Sequence, residues 1–594
     1  MIREDVIYRI KEIHHNDDEQ IKFILSEDKR LLVTAPAGCG KTKSMISKIA
    51  FEIANKTNKN FKRILALTFS VNAATKIKED TAKLLPVILK KNNINLAEEL
   101  DVSNYHGFSS KLIHKHGYLY HDELKNIDNF IFGSEDMREL RNILLESELN
   151  IIKNYDRAIK NLDVKKVDEL EEQYFNILIN RLIPKQIMTY NGLLLLGYKL
   201  LDIETIRLFY QKYYSLIIID EFQDTNYLAY KLINKLISNN NKLVIMGDDI
   251  QKIYGFLGAI PNLFHYVKNK YNMIPIELKT NYRFKDNEKM KNLDIYLRQI
   301  FREYKNIEEF SYDAEINLGF YDTDEEEADA IVDNMIDKIS KGNKIALLAR
   351  QKKNADNVIK KLEVKSITYF NALFSDTDYI YIKFHKLALE KFIMESGHNK
   401  SVSKRTLDRV IIEVENQKEL IVGNQKELLR DNNILFNSLT RLLKLLFINI
   451  RREDLSREEK YNKIIYVLSN NSLKRLINEI EDNIILTTIH GSKGLEWDFI
   501  YIPEVIKSNF PHYGAMCKDC IKNSLGLQYR NFCKFIFSTD LQKSFEDEFS
   551  LFYVGITRAK KDVYLFANVE RNRHGYPKKL SCLTTLPNLK MNLI

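Results

Sequence analysis

Cysteine is scarce in this chain of 594 residues, and the few that occur are unevenly spaced: Cys39, Cys517, Cys520, Cys533 and Cys582. Such a set cannot supply the disulfide framework of a secreted protein, so we expect a reducing, cytoplasmic location. Long apolar runs are also missing: no stretch approaches the ~20 residues of a membrane helix, and the N-terminus has no apolar signal core. We therefore expect no membrane partner. Proline and glycine number only nine and 20, which we attribute to an AT-rich genome rather than to function.

The overall composition is that of a globular protein. Hydrophobic residues make up 45% and charged residues 29%, a balance that argues against a disordered or fibrous chain. Lysine and arginine exceed aspartate and glutamate by 90 − 81 = 9 charges. This excess permits a nucleic-acid partner without requiring one.

Short apolar runs recur along the chain, each bounded by polar or turn residues. They occupy residues 30–35, 63–69, 215–220, 242–248, 345–349, 484–489, 499–505 and 562–568. Because they do not alternate polar with apolar residues, they are typical of strands buried on both faces. Amphipathic helical stretches such as 43–54 and 227–237 lie between them. This alternation predicts an α/β protein with parallel sheets covered by helices.

The strands fall into two groups, which predicts two α/β domains. The long stretches 118–185 and 371–482 lack such strands and are expected to be mainly helical insertions. The expected boundaries are 1–117 with 186–285 for the first α/β domain, 118–185 for its insertion, 286–370 with 483–594 for the second α/β domain, and 371–482 for its short insertion.

The strongest local signal follows the first apolar run, where a small-residue loop precedes a helix. Backbone N–H groups of such a loop wrap a phosphate, Lys41 reaches the β- and γ-phosphates, and Thr42 offers its hydroxyl to Mg²⁺. The first position is Ala35, where the usual pattern has Gly. The residues expected to bind ATP here are Ala35, Pro36, Ala37, Gly38, Cys39, Gly40, Lys41, Thr42 and Lys43.

A pair of carboxylates ends the apolar run in LIIIDEFQDTN, residues 216–226. An acid at the end of a second buried strand can hold Mg²⁺ beside the phosphate loop, and its neighbour can activate the attacking water. We expect Asp220 in the metal role and Glu221 in the base role. The alternative is an acid pair that caps the following helix.

The segment GDDIQKIYGF, residues 247–256, combines a glutamine with two aromatic residues. Gln251 is expected to touch the γ-phosphate or the attacking water. Tyr254 and Phe256 can stack on bases, which binds single strands without sequence preference. The alternative is that both rings belong to the core, since the chain has 32 Tyr and 31 Phe.

At DEFQDTN the sequence resembles motif II of the superfamily 1A helicases, the UvrD/Rep/PcrA group. Segments that resemble the other motifs of that group follow in its order at residues 19–20, 67–75, 104–108, 247–259, 278–284, 487–505 and 551–566. The resemblance covers about residues 19 to 566. It implies two RecA-like P-loop domains and an ATP- and Mg²⁺-dependent DNA helicase that moves 3′ to 5′ on single-stranded and tailed duplex DNA.

The resemblance also implies roles for individual residues. Gln20 would read adenine, Tyr282 would stack on it, and Glu496 would bind ribose or phosphate-linked groups. Arg283 and Arg558 would contact the γ-phosphate from the two α/β domains. The implied DNA contacts are Phe69, Ser70, Asn72, His106, Tyr254, Phe256, His490 and Ser492.

Several positions depart from the family pattern. Residues 71–74 read VNAA without the usual lysine, Leu257 replaces a usual arginine, 189–194 lacks the usual acids, and 549–550 lacks an arginine pair. Two hypotheses follow. The first is a translocase and helicase for repair, replication restart or defence, and the second a DNA-sensing ATPase subunit that regulates a partner nuclease in an antiphage system. A P-loop NTPase unrelated to nucleic acid leaves the aromatic segment unexplained.

One further constellation has spacing compatible with zinc: His512, Cys517, Cys520 and Cys533. However, residues 510–512 also resemble a turn found here in the helicase family. We therefore favour unpaired thiols in a loop over a metal site. The chain shows no nuclease signature, and a nuclease or repair protein is the protein partner that we consider.

Overall fold

The computed structural model describes residues 3–55, 62–90, 96–133, 135, 138–303, 313–374, 378–422, 429–453, 455–469, 471–507, 509–516, 539–571, 575 and 577–594. The chain divides into two compact units, with the boundary between Arg283 and Phe284. Within the described part of the chain, no helix has the length and apolar character needed to cross a membrane.

The first unit is built on a parallel sheet with the strand order β3-β2-β6-β7-β1-β8. A separate short pair joins β4 to β5. The strands are β1 (Arg30–Thr34), β2 (Arg63–Thr68), β3 (Leu100–Asn104), β4 (Ile131–Gly133), β5 (Ile187–Thr189), β6 (Tyr214–Ile219), β7 (Lys242–Gly247) and β8 (Ile274–Glu277).

Helices cover this sheet and form the segment between β4 and β5. They are α1 (Arg3–Ile13), α2 (Asp18–Leu25), α3 (Lys41–Ala54), α4 (Val71–Leu89), α5 (Leu96–Glu99), α6 (Tyr105–His116), α7 (Glu146–Asn161), α8 (Val164–Ile177), α9 (Tyr190–Asp202), α10 (Glu204–Tyr213), α11 (Tyr227–Leu236) and α12 (Leu263–Lys270). A π-helical turn, Leu178–Leu182, continues α8.

Alternate residues of the central strands enter two different cores, as the two-residue period of a strand requires. Ile217 and Ile219 of β6 face one core, whereas Leu216 and Ile218 face the other. Both faces are therefore apolar, which explains the continuous hydrophobic run in the sequence. Polar groups are left to the strand ends, where the site lies.

The second unit also has a parallel sheet, with the order β11-β12-β10-β13-β14-β9-β15. Its strands are β9 (Ala314–Tyr321), β10 (Ile345–Ala349), β11 (Phe370–Ala372), β12 (Ile484–Thr488), β13 (Trp497–Ile502), β14 (Ala559–Asn568) and β15 (Leu589–Leu593).

Helices α14 and α15 pack on one face of the second sheet and share a core with β10, β12 and β14. The run between β11 and β12 is helical over α16 to α20. The helices of this unit are α13 (Glu288–Glu303), α14 (Asp324–Ser340), α15 (Asp356–Val364), α16 (Tyr379–Ser396), α17 (Lys404–Asn416), α18 (Lys418–Val422), α19 (Leu429–Arg452), α20 (Arg457–Ser469) and α21 (Thr539–Ile556).

The predicted fold class is confirmed: two parallel-sheet α/β units with many helices. Each of the eight apolar runs overlaps a strand. The strands that the runs did not predict include all four edges of the two large sheets, β3, β8, β11 and β15. Edge strands are less buried and need no continuous apolar run, and β8 even contains Pro275, which is tolerated at an edge.

Candidate functional site

The loop between β1 and α3 has the backbone of a phosphate cradle. Gly38 and Gly40 adopt φ values of 82° and 73°, in the left-handed region that favours glycine. A Cβ on Gly38 would lie 2.5 Å from Oδ1 of Asn281, and one on Gly40 would lie 2.8 Å from Nε2 of Gln20. Side chains at these two positions are therefore excluded twice, by backbone conformation and by space.

The other predicted loop residues lie on either side of these glycines or between them in the chain. Asn281 Nδ2 donates to the carbonyl of Ala37 at 3.0 Å. Lys43 points away, donating to the carbonyl of Ile13 at 2.8 Å. The remaining loop residues are Ala35 and Cys39, which are buried, and Pro36 and Thr42, which are half-buried.

Lys41 connects the loop to the acid pair. Its ammonium lies 2.5 Å from Oε1 of Glu221 and 3.3 Å from Oδ1 of Asp220. Burial alone would lower the pKa of Lys41, but the two carboxylates more than offset that effect and raise it. Lys41 is therefore cationic beside two acids at the end of β6.

Glu221 has φ 53°, an uncommon conformation for a residue other than glycine. It follows Asp220, whose Oδ1 accepts the N–H of Glu221 at 2.9 Å, and it precedes the turn Phe222–Asp224. Strained backbone of this kind is concentrated at functional sites. It turns the Glu221 carboxylate back toward Lys41 instead of along the helix that follows.

A continuous series of hydrogen bonds, the acid–glutamine path, runs from Lys41 through Glu221, Gln223 and Asp248 to Gln251. Gln223 Nε2 donates to Glu221 Oε2 at 2.6 Å, and Gln223 Oε1 accepts the N–H of Asp248 at 3.2 Å. Gln251 Nε2 donates to Asp248 Oδ2 at 2.7 Å. The ends of β6 and β7 are thus joined by polar side chains.

The predicted adenine site brings Gln20 and Tyr282 to the same loop. Gln20 is buried, and its Nε2 donates to the carbonyl of Cys39 at 3.0 Å. Tyr282 N–H donates to the carbonyl of Gly38 at 3.0 Å, and its hydroxyl donates to Asp17 Oδ2 at 2.8 Å. Arg283 follows, with its N–H on Asn281 Oδ1 at 3.0 Å.

Among the predicted DNA contacts of the first unit, Phe69 and Tyr254 stack on each other. Their ring centroids are 4.7 Å apart at an interplanar angle of 27°. Ser70 accepts the N–H of Ala73 at 3.1 Å and caps α4. The side chains of Asn72 and Phe256 lie outside the described residues.

His106 lies in the first turn of α6, partly exposed, and its ring meets Tyr190 edge-on at 5.9 Å between centroids. The protein around the ring lowers the pKa of His106 to about 4 by desolvation. The imidazole is therefore neutral at physiological pH. Tyr190 belongs to the segment 189–194, where the sequence departs from the family pattern.

The predicted residues of the second unit lie around β12, β13 and β14. His490 is half-buried in the turn after β12, and Ser492 is buried with its hydroxyl donating to the carbonyl of Ile489 at 2.7 Å. Arg558 is buried between α21 and β14, where Nε donates to the carbonyl of Val554 at 3.1 Å. Its Nη1 donates to the carbonyl of Leu495 at 3.3 Å.

Glu496 is exposed at the start of β13. Its Oε1 pairs with Nζ of Lys560 at 3.0 Å, within the same unit.

Two family models match the chain: the UvrD/REP helicase N-terminal domain over residues 16–272 and the UvrD-like helicase C-terminal domain over residues 383–570. The chain belongs to the UvrD/Rep-like family of DNA helicases. It is accordingly an ATP-hydrolysing enzyme, and the resemblance seen in its motifs is confirmed.

Two of the curated relatives described here align with this UvrD/Rep-like helicase over nearly its whole length, and a third aligns over less than half of it. A probable DNA helicase II homolog of Rickettsia conorii is 24% identical over 647 residues, covering 93% of this chain and 92% of the relative. An ATP-dependent DNA helicase Rep of Buchnera aphidicola is 24% identical over 642 residues, covering 92% and 93%. A probable DNA helicase II homolog of Mycoplasma capricolum is 30% identical over 293 residues, covering 45% and 39%.

The residues of the helicase site fit the Mg²⁺ and ATP that the family implies. The cradle at Gly38 has no room for a Cβ, Lys41 supplies positive charge, and the donor set for the metal consists of oxygen atoms, as Mg²⁺ requires. Thr42 and Asp220 are the residues that would hold the ion. When bound, Mg²⁺–ATP supplies the phosphoanhydride bond that is cleaved.

Several groups that position the helicase site are not among the residues predicted from the sequence. Gln223 and Asp248 complete the acid–glutamine path, Asn281 braces the loop, and Asp17 accepts both the Tyr282 hydroxyl and the N–H of Gln20. Asp248 could have been found, because it directly follows a buried strand beside the β6 acids. Asp17 gave only a helix N-cap signal, and its bond to Tyr282 depends on the fold.

The four residues whose spacing is compatible with zinc lie largely outside the described residues, since Cys517, Cys520 and Cys533 are not among them. His512 is described, and its Nδ1 accepts the N–H of Gly514 at 2.9 Å. In the described ranges, no group of three or more His, Cys, Asp or Glu side chains could hold a metal ion.

Proposed function

We propose that the protein is an ATP-dependent translocase on single-stranded DNA and a 3′–5′ DNA helicase. The observation that carries the proposal is the acid–glutamine path, which ends at Gln251, three residues before Tyr254. Tyr254 is stacked on Phe69. The short segment from Gln251 to Tyr254 therefore connects the acid–glutamine path, which contains the Glu221 carboxylate suited to hydrolysis, with an aromatic pair suited to stacking on bases.

In the proposed hydrolysis, Glu221 is the general base. A carboxylate has about four lone-pair sites, so the bonds from Lys41 and Gln223 leave capacity to accept a proton from water. Lys41 exchanges its carboxylate partners for phosphate oxygens, and Gln251 orients the water or contacts the γ-phosphate. Asp220 and Thr42 are the proposed metal ligands.

Roles for three further residues are proposed from the resemblance to the helicase family. Arg283 and Arg558 stabilise the γ-phosphate charge as the bond breaks, and Glu496 binds ribose or phosphate-linked groups. The described hydrogen bonds of Arg558 hold its guanidinium rigidly within its own unit. A preorganised cation of this kind suits charge stabilisation.

Single-stranded DNA is the proposed substrate of the aromatic pair. A base that stacks on Phe69 or Tyr254 gains ~1–3 kcal/mol regardless of its identity. His106, His490, Asn72, Phe256, Ser70 and Ser492 remain proposed contacts. Of these, Ser70 accepts a local bond through its hydroxyl oxygen and keeps its O–H to donate, whereas Ser492 already donates its O–H to Ile489 and would have to exchange that partner to donate to DNA.

The proposal is tested with fluorescent duplexes that carry either a 3′ or a 5′ single-stranded tail. We expect ATP-dependent strand separation of the 3′-tailed substrate and little of the 5′-tailed one, with ADP as the matched negative control. Unwinding of the 5′-tailed substrate alone would contradict the polarity. ATP hydrolysis that ignores both substrates would contradict the helicase proposal.

A second candidate is a DNA-sensing ATPase subunit that switches a partner nuclease, as in an antiphage system. It is favoured by the missing basic groups: Leu257 is exposed where a relative would present arginine, and α4 begins with VNAA. In the tailed-duplex experiment this candidate predicts DNA-stimulated hydrolysis without strand separation by the protein alone.

The domain subdivision is part of the proposal. We propose RecA-like domain 1A over 1–117 and 186–285 with insertion 118–185, and domain 2A over 286–370 and 483–594 with insertion 371–482. The helical segments α7–α8 and α16–α20 fall within these insertions. We also propose action on cytoplasmic DNA, in repair, replication restart or defence.

A further inference from the structure

Gln20, the proposed adenine reader, has both ends of its amide engaged by buried groups of the first unit. Its Nε2 donates to the carbonyl of Cys39 at 3.0 Å, and its Oε1 contacts Nδ1 of His14. His14 and Gln20 are 1% and 2% exposed. Buried protein groups therefore orient the Gln20 amide and shield it from water, without any contribution from a nucleotide.

The chemistry of these partners leaves one orientation. A backbone carbonyl only accepts hydrogen bonds, so the amide nitrogen of Gln20 has to face Cys39. The amide oxygen then faces His14, and because that oxygen only accepts, the proton of the imidazole must reside on Nδ1.

Ser47 completes the series from the other side of the ring. Its Oγ lies 2.8 Å from Nε2 of His14, and the residue is fully buried in α3. Burial lowers the pKa of His14, which favours the neutral ring. In that form Nε2 accepts, so the Ser47 hydroxyl donates, and every bond from Ser47 through His14 and Gln20 to Cys39 runs in the same direction.

The phosphate loop passes close to the same amide. A Cβ on Gly40 would lie 2.8 Å from Nε2 of Gln20. The glycine therefore leaves room for the amide nitrogen beside Cys39, while His14 supplies the only directional contact described for the amide oxygen. A 180° flip would set the Gln20 oxygen against the Cys39 carbonyl and its nitrogen against the Nδ1–H of His14.

We propose that His14 is a positioning residue that fixes the Gln20 amide and thereby sets selectivity for adenine over guanine nucleotides. The inference rests on the proposed role of Gln20. With one N–H and one lone pair already used, the amide has one of each left. Adenine matches that pair with N7 and the 6-amino group, whereas guanine presents acceptors at both N7 and O6. An amide free to rotate could turn both N–H groups to guanine.

The experiment measures equilibrium binding of mant-ADP and mant-GDP by fluorescence titration, so that no turnover is involved. The quantity compared is the ratio of the Kd for mant-GDP to the Kd for mant-ADP. We expect His14→Leu, which removes both ring nitrogens, to lower this ratio by about tenfold. His14→Asn, whose amide nitrogen can replace Nδ1 as donor to Gln20, is expected to stay within about threefold of the natural protein.

Two further variants make the result specific. Gln20→Ala should lower the ratio at least as far, and adding His14→Leu to Gln20→Ala should change it no further, because the two side chains act as one unit. His15→Asn is the matched control: His15 is the exposed neighbour with φ 51°, a conformation that asparagine tolerates. We expect it to leave the ratio unchanged.

Three results would overturn the inference. If the Kd ratio of His14→Leu equalled that of the natural protein, His14 would not set selectivity. If His14→Leu lowered the ratio as much in the Gln20→Ala background as it does alone, His14 would act through another group. If the ratio of Gln20→Ala equalled that of the natural protein, Gln20 itself would have no adenine role, but the helicase proposal would stand, because tailed-duplex unwinding tests it separately.

Discussion

Glu221 is the residue on which the proposed chemistry depends most. Its positive φ and its bonds to Lys41 and Gln223 hold its carboxylate beside the lysine of the phosphate loop. An acid that merely capped the following helix would accept from the N–H groups of that helix. Among the described contacts of Glu221, its side chain instead accepts from Lys41 and Gln223, which favours the base role.

Glu221→Gln is expected to retain ATP binding and to reduce hydrolysis by at least about 100-fold, the lower range for loss of a general base. ATP affinity by equilibrium titration and phosphate release in single turnover check the two parts. Glu146→Gln, an exposed carboxylate on α7, is the control and should behave like the natural protein. Near-natural phosphate release in Glu221→Gln would contradict the base role.

The residues of the site differ in how far sequence could specify them. Asp220 and Glu221 directly follow an apolar strand, and Lys41 follows a small-residue loop after another, so each chemistry-bearing group is marked by its neighbours in the chain. Gln223 and His14 are different, because their roles consist of bonds to Asp248 and Gln20 that only the folded chain brings together. Local pattern identifies reacting groups better than the groups that orient them.

At the scale of elements, the segment after β7 joins the nucleotide site to the aromatic pair. Gln251 lies in the turn Asp249–Gln251, and Tyr254 follows to stack on Phe69, which directly follows β2. Because β2, β6 and β7 are parallel neighbours, their carboxyl ends share one edge of the sheet. The aromatic pair and the acids are placed together by topology.

Tyr254→Ala is expected to weaken binding of single-stranded DNA by about tenfold, since stacking contributes ~1–3 kcal/mol per base. Fluorescence anisotropy with a labelled oligothymidine measures the change. Tyr254→Phe keeps the ring and should stay within about twofold. If Tyr254→Ala bound DNA normally but unfolded at lower temperature, the ring would be a core aromatic and the DNA role would be wrong.

The carboxyl edge of the second sheet carries a buried acid. Glu327 of α14 accepts the N–H of Glu504 at 2.7 Å and a bond from Asn568 at the end of β14. Burial raises the pKa of Glu327 to about 7, from an ordinary value of 4.5. The folded state therefore holds a proton that the unfolded state has lost between these two pH values.

This shift predicts the sign of a pH effect on stability. The contribution of the protonated Glu327 to the free energy of unfolding is complete below pH 4.5 and is lost as the pH rises through about 7. Between pH 5 and pH 8, the free energy of unfolding of Glu327→Gln should therefore rise by up to about 3 kcal/mol relative to that of the natural protein. Urea midpoints of both proteins at the two pH values measure it.

Glu325→Gln, an exposed position on the same helix, serves as the control for the Glu327 experiment. It should show the same difference from the natural protein at both pH values. If the difference in stability between Glu327→Gln and the natural protein were the same at both pH values, the pKa of Glu327 would not be raised in the folded state.

Elements also differ in how well sequence predicts them. Central strands such as β6 and β7 are buried on both faces, so their apolar runs are unmistakable. Edge strands such as β8 are largely exposed, and hydrogen bonding to one neighbour is sufficient to form them. Those bonds connect residues far apart in the chain, such as Leu31 with Ile274, which no local pattern contains.

At the scale of the whole molecule, the chain consists of two parallel-sheet units, and the family models match parts of both. The first unit contains the complete acid–glutamine path and the aromatic pair. The second contributes the proposed Arg558, Glu496, His490 and Ser492. The order of motifs along the sequence predicted how these proposed residues are distributed between the two units.

We propose that single-stranded DNA controls ATP hydrolysis by this protein. The steady-state rate of ATP hydrolysis, measured with and without a saturating oligothymidine at fixed Mg²⁺, tests this proposal. We expect a rate at least about tenfold higher with DNA, and we expect Glu221→Gln to lose that activity. An equal rate with and without DNA would contradict it.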